Sequence, residues 1–343
     1  MAKLALIGCS PSSGSTMFAD LLDSSEHSAC GPELEFFCNR NLFEFKRFKA
    51  SPRTQSELFS IGSTGIFPRF ERLKHYGLAE SELMKMVSAS DSLNAFQRHF
   101  AAHFASYREK GDDSIVFEKT PQNANSIDLW LNSSNENHFV FLYRDPFYVF
   151  NSLMNRGWSL YTSVVTWLSY LGKVLPHFDN PRLHGIKLEN LVEDPFGITS
   201  ELINNIHGSL DISPEQVRLG YENNSYRKQS SKRKAEWEVN TVTSGIMNPN
   251  AKVIAETRLA LFKVIGKQKL GLSYAERFAL EVIPLRDACL MLGYDVDRFS
   301  ESSDLELAPS TKERIKFFTK TVRSVVTRTG NLGDSSLFSN ALD

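Results

Sequence analysis

Short uninterrupted runs of hydrophobic residues recur along the first part of the chain, and turn residues follow each of them. Such runs, bounded by turn signals, are typical of buried strands. Helical patterns separate the runs, which predicts an α/β fold with a central parallel sheet flanked by helices on both faces. The predicted strands are residues 3–8 (KLALIG), 114–118 (SIVFE), 138–143 (HFVFLY) and, more weakly, 183–187 (LHGIK).

The rest of the chain adds one insertion, one loop and a tail to this sheet. We expect a single domain over residues 1–300, followed by a tail, 301–343, that contains a basic amphipathic helix. Residues 39–110 are rich in Phe and predict a largely helical cap, whereas the polar and basic residues 223–249 predict a long loop. Helical spacing also occurs in residues 15–24, 195–219 and 250–292.

Composition and charge limit the classes of partner. The 343 residues are 41% hydrophobic, which is enough for a substantial core. With 39 basic and 40 acidic side chains, the chain has no bulk attraction to nucleic acid or to anionic membranes. The four cysteines lack metal-binding spacing and fit a reducing compartment. We therefore expect a cytoplasmic protein that binds neither nucleic acid nor membrane and needs no metal.

The loop after the first predicted strand, SPSSGST (residues 10–16), carries groups that bind anions. A Ser- and Gly-rich turn before a helix presents backbone N–H groups, hydroxyls and the positive end of the helix dipole. Gly8 and Gly14 are separated by five residues and no lysine follows, so the loop is not a Walker A motif. The dinucleotide pattern GxGxxG is also absent. The loop alone leaves two interpretations open, a phosphate site or a turn without a ligand.

A second segment, FVFLYRDPFYVFNSLM (residues 139–154), places Arg144 after a strand and Ser152 eight residues later. Together with the first loop it resembles the sulfotransferases that use 3′-phosphoadenosine-5′-phosphosulfate (PAPS), whose fold is similar to that of nucleotide kinases. The resemblance implies that Arg144 and Ser152 bind the 3′-phosphate, for which a guanidinium and a hydroxyl are suited. It also implies that the first loop binds the 5′-phosphosulfate. The loop residues expected to bind the cofactor are Ser12, Ser13, Gly14, Ser15 and Thr16.

Two further segments extend the resemblance to the chemistry. The stretch CGPELEFF (residues 30–37) is similar to one that carries the general base, a role that falls on Glu33. The stretch FEKTPQN (residues 117–123) is similar to one whose lysine holds the transferring group, which implies this role for Lys119.

One position departs from the family pattern. The family usually has Lys or Arg where this chain has Ser12, and that cation neutralises the oxygen between phosphate and sulfate. We expect Lys119 to substitute for it. Alternatively, Arg227 and Lys232, in the basic run 226–234, close over the nucleotide, although a solvated loop explains the run equally well. Ser12 also fits a member with altered or lost activity.

Other side chains are weaker candidates. Glu35 lies two residues beyond Glu33 and is expected to be a paired or surface carboxylate rather than a base. The histidines expected to be structural are His27, His99 and His103. The aromatic residues expected in the core, rather than lining a pocket, are Trp158, Tyr161 and Trp167.

The function implied by the resemblance is transfer of a sulfuryl group from PAPS to a hydroxyl or amine. The acceptor is a small molecule, such as a natural product, or a sugar, and the nucleotide product is 3′-phosphoadenosine-5′-phosphate (PAP). Two alternatives remain open: a non-catalytic nucleotide-binding protein of the same fold, and a nucleotide-kinase-like phosphotransferase. The second alternative would require a Walker lysine, which this loop lacks.

Overall fold

The computed structural model describes residues 2–50, 69–158, 160–224 and 285–294. The predicted loop from residue 225 onward, most of segment 250–292 and the tail 301–343 lie outside the described residues. The strands are β1 Lys3–Cys9, β2 Ser28–Cys30, β3 Ile115–Lys119, β4 His138–Tyr143 and β5 Leu183–Lys187. The α-helices are α1 Ser15–Leu22, α2 Phe45–Ala50, α3 Arg69–Lys74, α4 Glu80–Ala89, α5 Leu93–Tyr107, α6 Ile127–Ser133, α7 Pro146–Met154, α8 Leu160–Val174, α9 Leu188–Glu193, α10 Pro195–His207, α11 Pro214–Asn223 and α12 Leu285–Met291.

All five strands are parallel and form one sheet in the order β2-β3-β1-β4-β5. The predicted parallel α/β sheet is therefore confirmed. The observed β4 and β5 coincide with the predicted runs, β1 extends one residue beyond its run, and β3 is shifted by one residue from its run. The edge strand β2 was missed because three residues are too short to show a pattern.

Both faces of the sheet are covered by helices, because the side chains of each strand alternate between two cores. In β1, Leu4 and Leu6 belong to one buried cluster, and Ala5 and Ile7 belong to the other. Helix α5 contributes aromatic side chains to the first cluster, whereas α1 and α10 pack into the second.

The Phe-rich segment supplies much of the first core. Phe96, Phe100 and Phe104 recur every four residues along α5, so they share one face of the helix, which packs against β1 and β3. All three are fully buried, and each contributes roughly 2 kcal/mol to the stability of the fold relative to an exposed side chain.

No helix within the described ranges is long and apolar enough to cross a bilayer.

The strand order brings the predicted site residues to one edge of the sheet. Strand β1 lies between β3 and β4. The chain runs from β1 to β2 and β3 on one side, and then crosses β1 to reach β4 and β5 on the other side. In parallel sheets, ligands bind beyond the carboxyl ends of the strands at such a switch point. The loop after β1, the end of β3 and the start of α7 after β4 all lie at that edge.

Candidate functional site

The loop between β1 and α1 has the backbone of an anion site. Gly14 caps α1 with φ of 83°, and Ser12 also adopts a left-handed conformation, with φ of 70°. A Cβ atom at Gly14 would lie 2.7 Å from Cδ1 of Leu188, so only glycine fits there. The first N–H groups of α1 have no intrahelical partner, and its first turn has no acidic side chain to repel an anion.

The hydroxyl groups of this loop divide into internal and outward-facing sets. Ser13 is fully buried, and its Oγ lies 2.9 Å from Oγ of Ser10, so Ser13 supports the loop from within. Ser15 is half-buried and Thr16 is exposed. The Oγ of Ser12 is buried and has no hydrogen-bond partner among the residues that the structure describes, which leaves one polar atom of the loop available for a ligand.

Arg144 lies against this loop from the end of β4. Its Nη1 donates to the carbonyl oxygen of Ser12 at 3.0 Å, and its Cζ lies 5.4 Å from the ring centroid of Tyr148. Burial lowers the pKa of Arg144 to about 10, although the nearby carboxylates of Glu189 and Asp145 act in the opposite direction. The side chain is 5% exposed and remains charged at neutral pH, so it places a fixed positive charge beside the loop.

Helix α7 aligns the other predicted phosphate ligand with Arg144. The Asp145 carboxylate accepts from the N–H of Phe147 and caps the helix. Tyr148 and Ser152 are four residues apart and therefore share one helix face, with Ser152 half-buried. Tyr148 was missed by sequence reasoning, although its spacing of four residues from both Arg144 and Ser152 could have indicated it.

A second missed residue, Glu189, ties the end of β4 to a distant segment. Its Oε1 accepts from the N–H of Asp145 at 3.0 Å, and its Oε2 accepts from the hydroxyl of Tyr294 at 3.2 Å. Burial, followed by the charge of Glu189, raises the pKa of Tyr294 well above its usual range, so this phenol stays protonated. The contact holds Tyr294, the last residue that the structure describes, close to the end of β4.

Glu33 and Lys119, the predicted base and its partner, form an ion pair at this edge. The Nζ of Lys119 lies 2.9 Å from Oε1 of Glu33. Lys119 is almost fully buried, whereas a third of the Glu33 side chain is exposed. Burial would raise the pKa of Glu33, but the charge and hydrogen bond of Lys119 outweigh it and hold that pKa below its ordinary value. Burial would lower the pKa of Lys119, and the Glu33 carboxylate outweighs that effect and raises it.

Close packing fixes the segment that carries Glu33. A Cβ atom at Gly31 would lie 2.4 Å from Cζ of Tyr76, and the Tyr76 hydroxyl donates to the carbonyl oxygen of Pro32 at 2.6 Å. Glu35 is buried and pairs with Arg72 at 3.0 Å, as expected for a paired carboxylate. Of the two glutamates, Glu33 is therefore the more accessible to an acceptor.

The remaining predicted residues have local partners or lie outside the description. His99 hydrogen-bonds with Ser90, and His103 with the carbonyl of Gly77. Among residues that the structure describes, no group of His, Cys, Asp and Glu side chains is arranged to hold a metal ion. Trp167 is a core residue, and Trp158 packs against the same core. His27 lies beside Glu26. Outside what the structure describes are the side chain of Tyr161 and the residues Arg227 and Lys232.

The site thus combines three functions on neighbouring strands. The loop after β1 offers N–H groups and a buried hydroxyl to an anion, and Arg144, directly after β4, adds a positive charge. On the other side, β3 carries Lys119, which lies opposite Ile7 in the sheet register and holds a partly exposed carboxylate. Such a site can bind an oxyanion and accept a proton beside it.

Comparison with known proteins identifies the family. The family model described as "Sulfotransferase family" matches residues 5–210, which is more than half of the chain. A search of curated proteins found no significant match. Similar solved structures include a sulfotransferase domain from the Synechococcus PCC 7002 olefin synthase, with 15% identity, 68% of this chain and 81% of that chain covered, and a TM-score of 0.44. Another is a sulfotransferase domain from the curacin biosynthetic pathway, with 15% identity and a TM-score of 0.46. That match covers 86% of this chain and 99% of the curacin domain. On the family match, which spans the loop, the base segment and the arginine, this chain belongs to the sulfotransferase family.

Proposed function

We propose that this protein transfers a sulfuryl group from PAPS to a hydroxyl or amine of a small molecule or sugar. In this reaction a bond forms between the acceptor oxygen or nitrogen and sulfur. The bond between sulfur and the bridging oxygen breaks, and PAP leaves. The observation that carries the proposal is the Glu33–Lys119 pair beside the anion loop, because it supplies a base and a cation at adjacent strand ends.

The residues present fit the phosphosulfate of PAPS, which supplies the sulfuryl group when bound. Among the described residues, the buried hydroxyl of Ser12 has no hydrogen-bond partner, and the first turn of α1 offers N–H groups and carries no acidic side chain. Arg144 contacts this loop and also lies over the ring of Tyr148, which shares a face of α7 with Ser152, so Arg144 and Ser152 suit a second phosphate. Arg227 and Lys232 remain predicted ligands.

The two members of the ion pair have separate roles. Glu33 is ionised at neutral pH because Lys119 lowers its pKa, so it can accept the proton of the acceptor. The Lys119 ammonium neutralises charge that develops on the transferring group or the bridging oxygen. We assign to it the role of the cation that the loop lacks at Ser12, since Lys119 is charged, buried and beside β1.

Titration calorimetry tests the nucleotide. PAP should bind more tightly than ATP or adenosine 5′-phosphosulfate, which lacks the 3′-phosphate. Arg144→Ala should weaken the binding of PAP by at least about tenfold, because a charged hydrogen bond to the nucleotide is lost. Arg218→Ala, which removes an exposed guanidinium on α11, is the matched control and should leave PAP affinity unchanged. Preference for ATP, or equal affinity for the nucleotide without the 3′-phosphate, would contradict the proposal.

Turnover tests the chemistry. With radiolabelled PAPS and a panel of hydroxyl and amine acceptors, the wild type should form sulfated product. Glu33→Gln should bind PAP normally and lose most turnover, since the amide cannot take the proton. A wild type that binds PAP yet modifies no acceptor and releases no sulfate would favour the non-catalytic alternative, for which Ser12 is the supporting observation.

A further inference from the structure

A buried carboxylate on β3 bonds to the backbone that follows Glu33. The Oε1 of Glu118 accepts from the N–H of Leu34 at 3.0 Å and from the hydroxyl of Thr120 at 2.6 Å. Its Oε2 accepts from Nδ2 of Asn123 at 2.6 Å. Glu118 and Thr120 are both fully buried, so these bonds are shielded from water.

Thr120 extends this network to the next residue of the segment. Its Oγ1 accepts from the N–H of Glu35 at 2.9 Å while its own hydrogen is donated to Glu118. Two consecutive backbone N–H groups, of Leu34 and Glu35, are therefore held by the side chains of Glu118 in β3 and of Thr120 directly after it. Glu35 has φ of 56°, a left-handed conformation that a non-glycine residue adopts only where its surroundings impose it.

The alternation of side chains along β3 explains how one strand end holds this segment from two sides. Successive side chains of an extended chain point to opposite faces, and Thr120 keeps the extended conformation directly after β3. Glu118 and Thr120 therefore share one face, and Lys119 lies on the other. Lys119 bonds the carboxylate of Glu33, and its two neighbours bond the backbone just after it. The segment is thus fixed in both position and rotation.

We propose that Glu118 and Thr120 are positioning residues that hold Glu33 in the orientation from which it accepts the acceptor proton. This inference rests on the proposed function. Neither residue takes part in the proton transfer itself; both act on the backbone of the base segment. A fully buried carboxylate is expensive to desolvate, and here three donors satisfy it, as a network that specifies one geometry requires.

The test uses Thr120 because Glu118→Gln would place the new amide against the Asn123 amide and could prevent folding. Thr120→Val keeps the shape of the side chain and removes the hydroxyl, whereas Thr120→Ser keeps the hydroxyl. Each full-length variant is checked by thermal unfolding and by PAP titration, and both should bind PAP like the wild type.

Hydrogen–deuterium exchange of the peptide spanning residues 31–37 gives the first readout. Thr120→Val should speed amide exchange there by at least about tenfold, because one N–H loses its acceptor, and Thr120→Ser should restore protection. Release of labelled sulfate from PAPS, with water as acceptor, gives the second readout. Thr120→Val should lower kcat by about tenfold with an unchanged KM for PAPS, and Thr120→Ser should recover it.

The outcomes separate the two proposals. Exchange in the 31–37 peptide that is unchanged by Thr120→Val, or a kcat that is unchanged, would overturn the positioning role and leave the proposed function standing. A wild type that neither binds PAP nor releases sulfate would refute the proposed function instead, and the exchange measurement would still show whether Thr120 holds the segment.

Discussion

Replacing Lys119 by methionine tests how strongly its bond to Glu33 stabilises the folded protein. The substitution keeps the length of the side chain and removes the charge that lies 2.9 Å from the Glu33 carboxylate. The partly exposed Glu33 carboxylate then loses the cation that pairs with it, so Glu33 must either become more hydrated or take up a proton. Both responses lower the free energy of unfolding.

The structure sets the expected size of this effect. Two unit charges 2.9 Å apart attract by about 6 kcal/mol at an effective dielectric constant of 20. Desolvation of the buried ammonium offsets much of this attraction, and removal of one partner from a buried pair costs about 3–5 kcal/mol. Because a third of the Glu33 side chain is exposed, water compensates part of the loss, and we expect about 2–3 kcal/mol for Lys119→Met.

A double-mutant cycle measures the pair directly. Urea unfolding at pH 7 of the wild type, Lys119→Met, Glu33→Gln and the double variant should give a coupling energy of about 1.5–3 kcal/mol. Coupling below about 0.5 kcal/mol, the value of an exposed surface pair, would refute the inference that the pair is buried and strong.

The pH dependence of this coupling follows from the direction of the two pKa shifts. The pKa of Glu33 is held below its ordinary value of 4.5, so its contribution is complete above that pH and is lost as pH falls through the lower folded value. The pKa of Lys119 is raised above 10.5, so its contribution is complete below pH 10.5 and is lost only as pH rises through the higher folded value. Coupling should therefore be constant between about pH 5 and pH 10 and should fade in acid.

Two further predictions concern the loop and the opposite edge of the sheet. Gly14→Ala should lower stability by about 2–4 kcal/mol and weaken PAP binding, because strain at φ of 83° adds to a clash with Leu188. The control is Gly157→Ala, where φ is 84° and no described atom lies within 4 Å of an added Cβ, so this variant should show the backbone strain alone. Equal losses of stability in the two variants would contradict the role of the clash. The rings of His138 and His184 hydrogen-bond at 3.0 Å, and burial, followed by the charge of His184, lowers the pKa of His138 to about 4. Protonation then favours the unfolded state, so the free energy of unfolding should fall by about 1–2 kcal/mol as pH drops from 6.5 to 4, after allowance for the partial exposure of His138. A His138→Gln variant with the same pH dependence would disprove the assignment of this effect to His138.

The fold followed from local patterns more readily than the site did. The run HFVFLY has four consecutive buried apolar residues, from Phe139 to Leu142, so its pattern alone predicted the strand that is observed at His138–Tyr143. The three residues of Ser28–Cys30 form a strand only because they pair with β3, and no local signal marks them. Arg144 and Glu33 were identified through family motifs, whereas Tyr148 could have been found from helical spacing and was not.

The contacts that make the site were beyond any local pattern. Lys119 reaches Glu33 across 86 positions of sequence, and the Glu118 carboxylate reaches the N–H of Leu34 across 84. Nothing near Glu118 in the chain distinguishes it from a surface carboxylate. Its role exists only because β2 and β3 are neighbours, which brings the segment after β2 over the end of β3.

The amino-acid sequence by itself determined four of the five strands, most helices and the chemical character of the anion loop, because these depend on the spacing of side chains over a few residues. The tertiary structure decided which strand ends meet, which side of β3 faces the base segment and which charged groups are paired. Those features depend on strand order, register and the packing of both faces, and they arise from contacts between residues far apart in the chain.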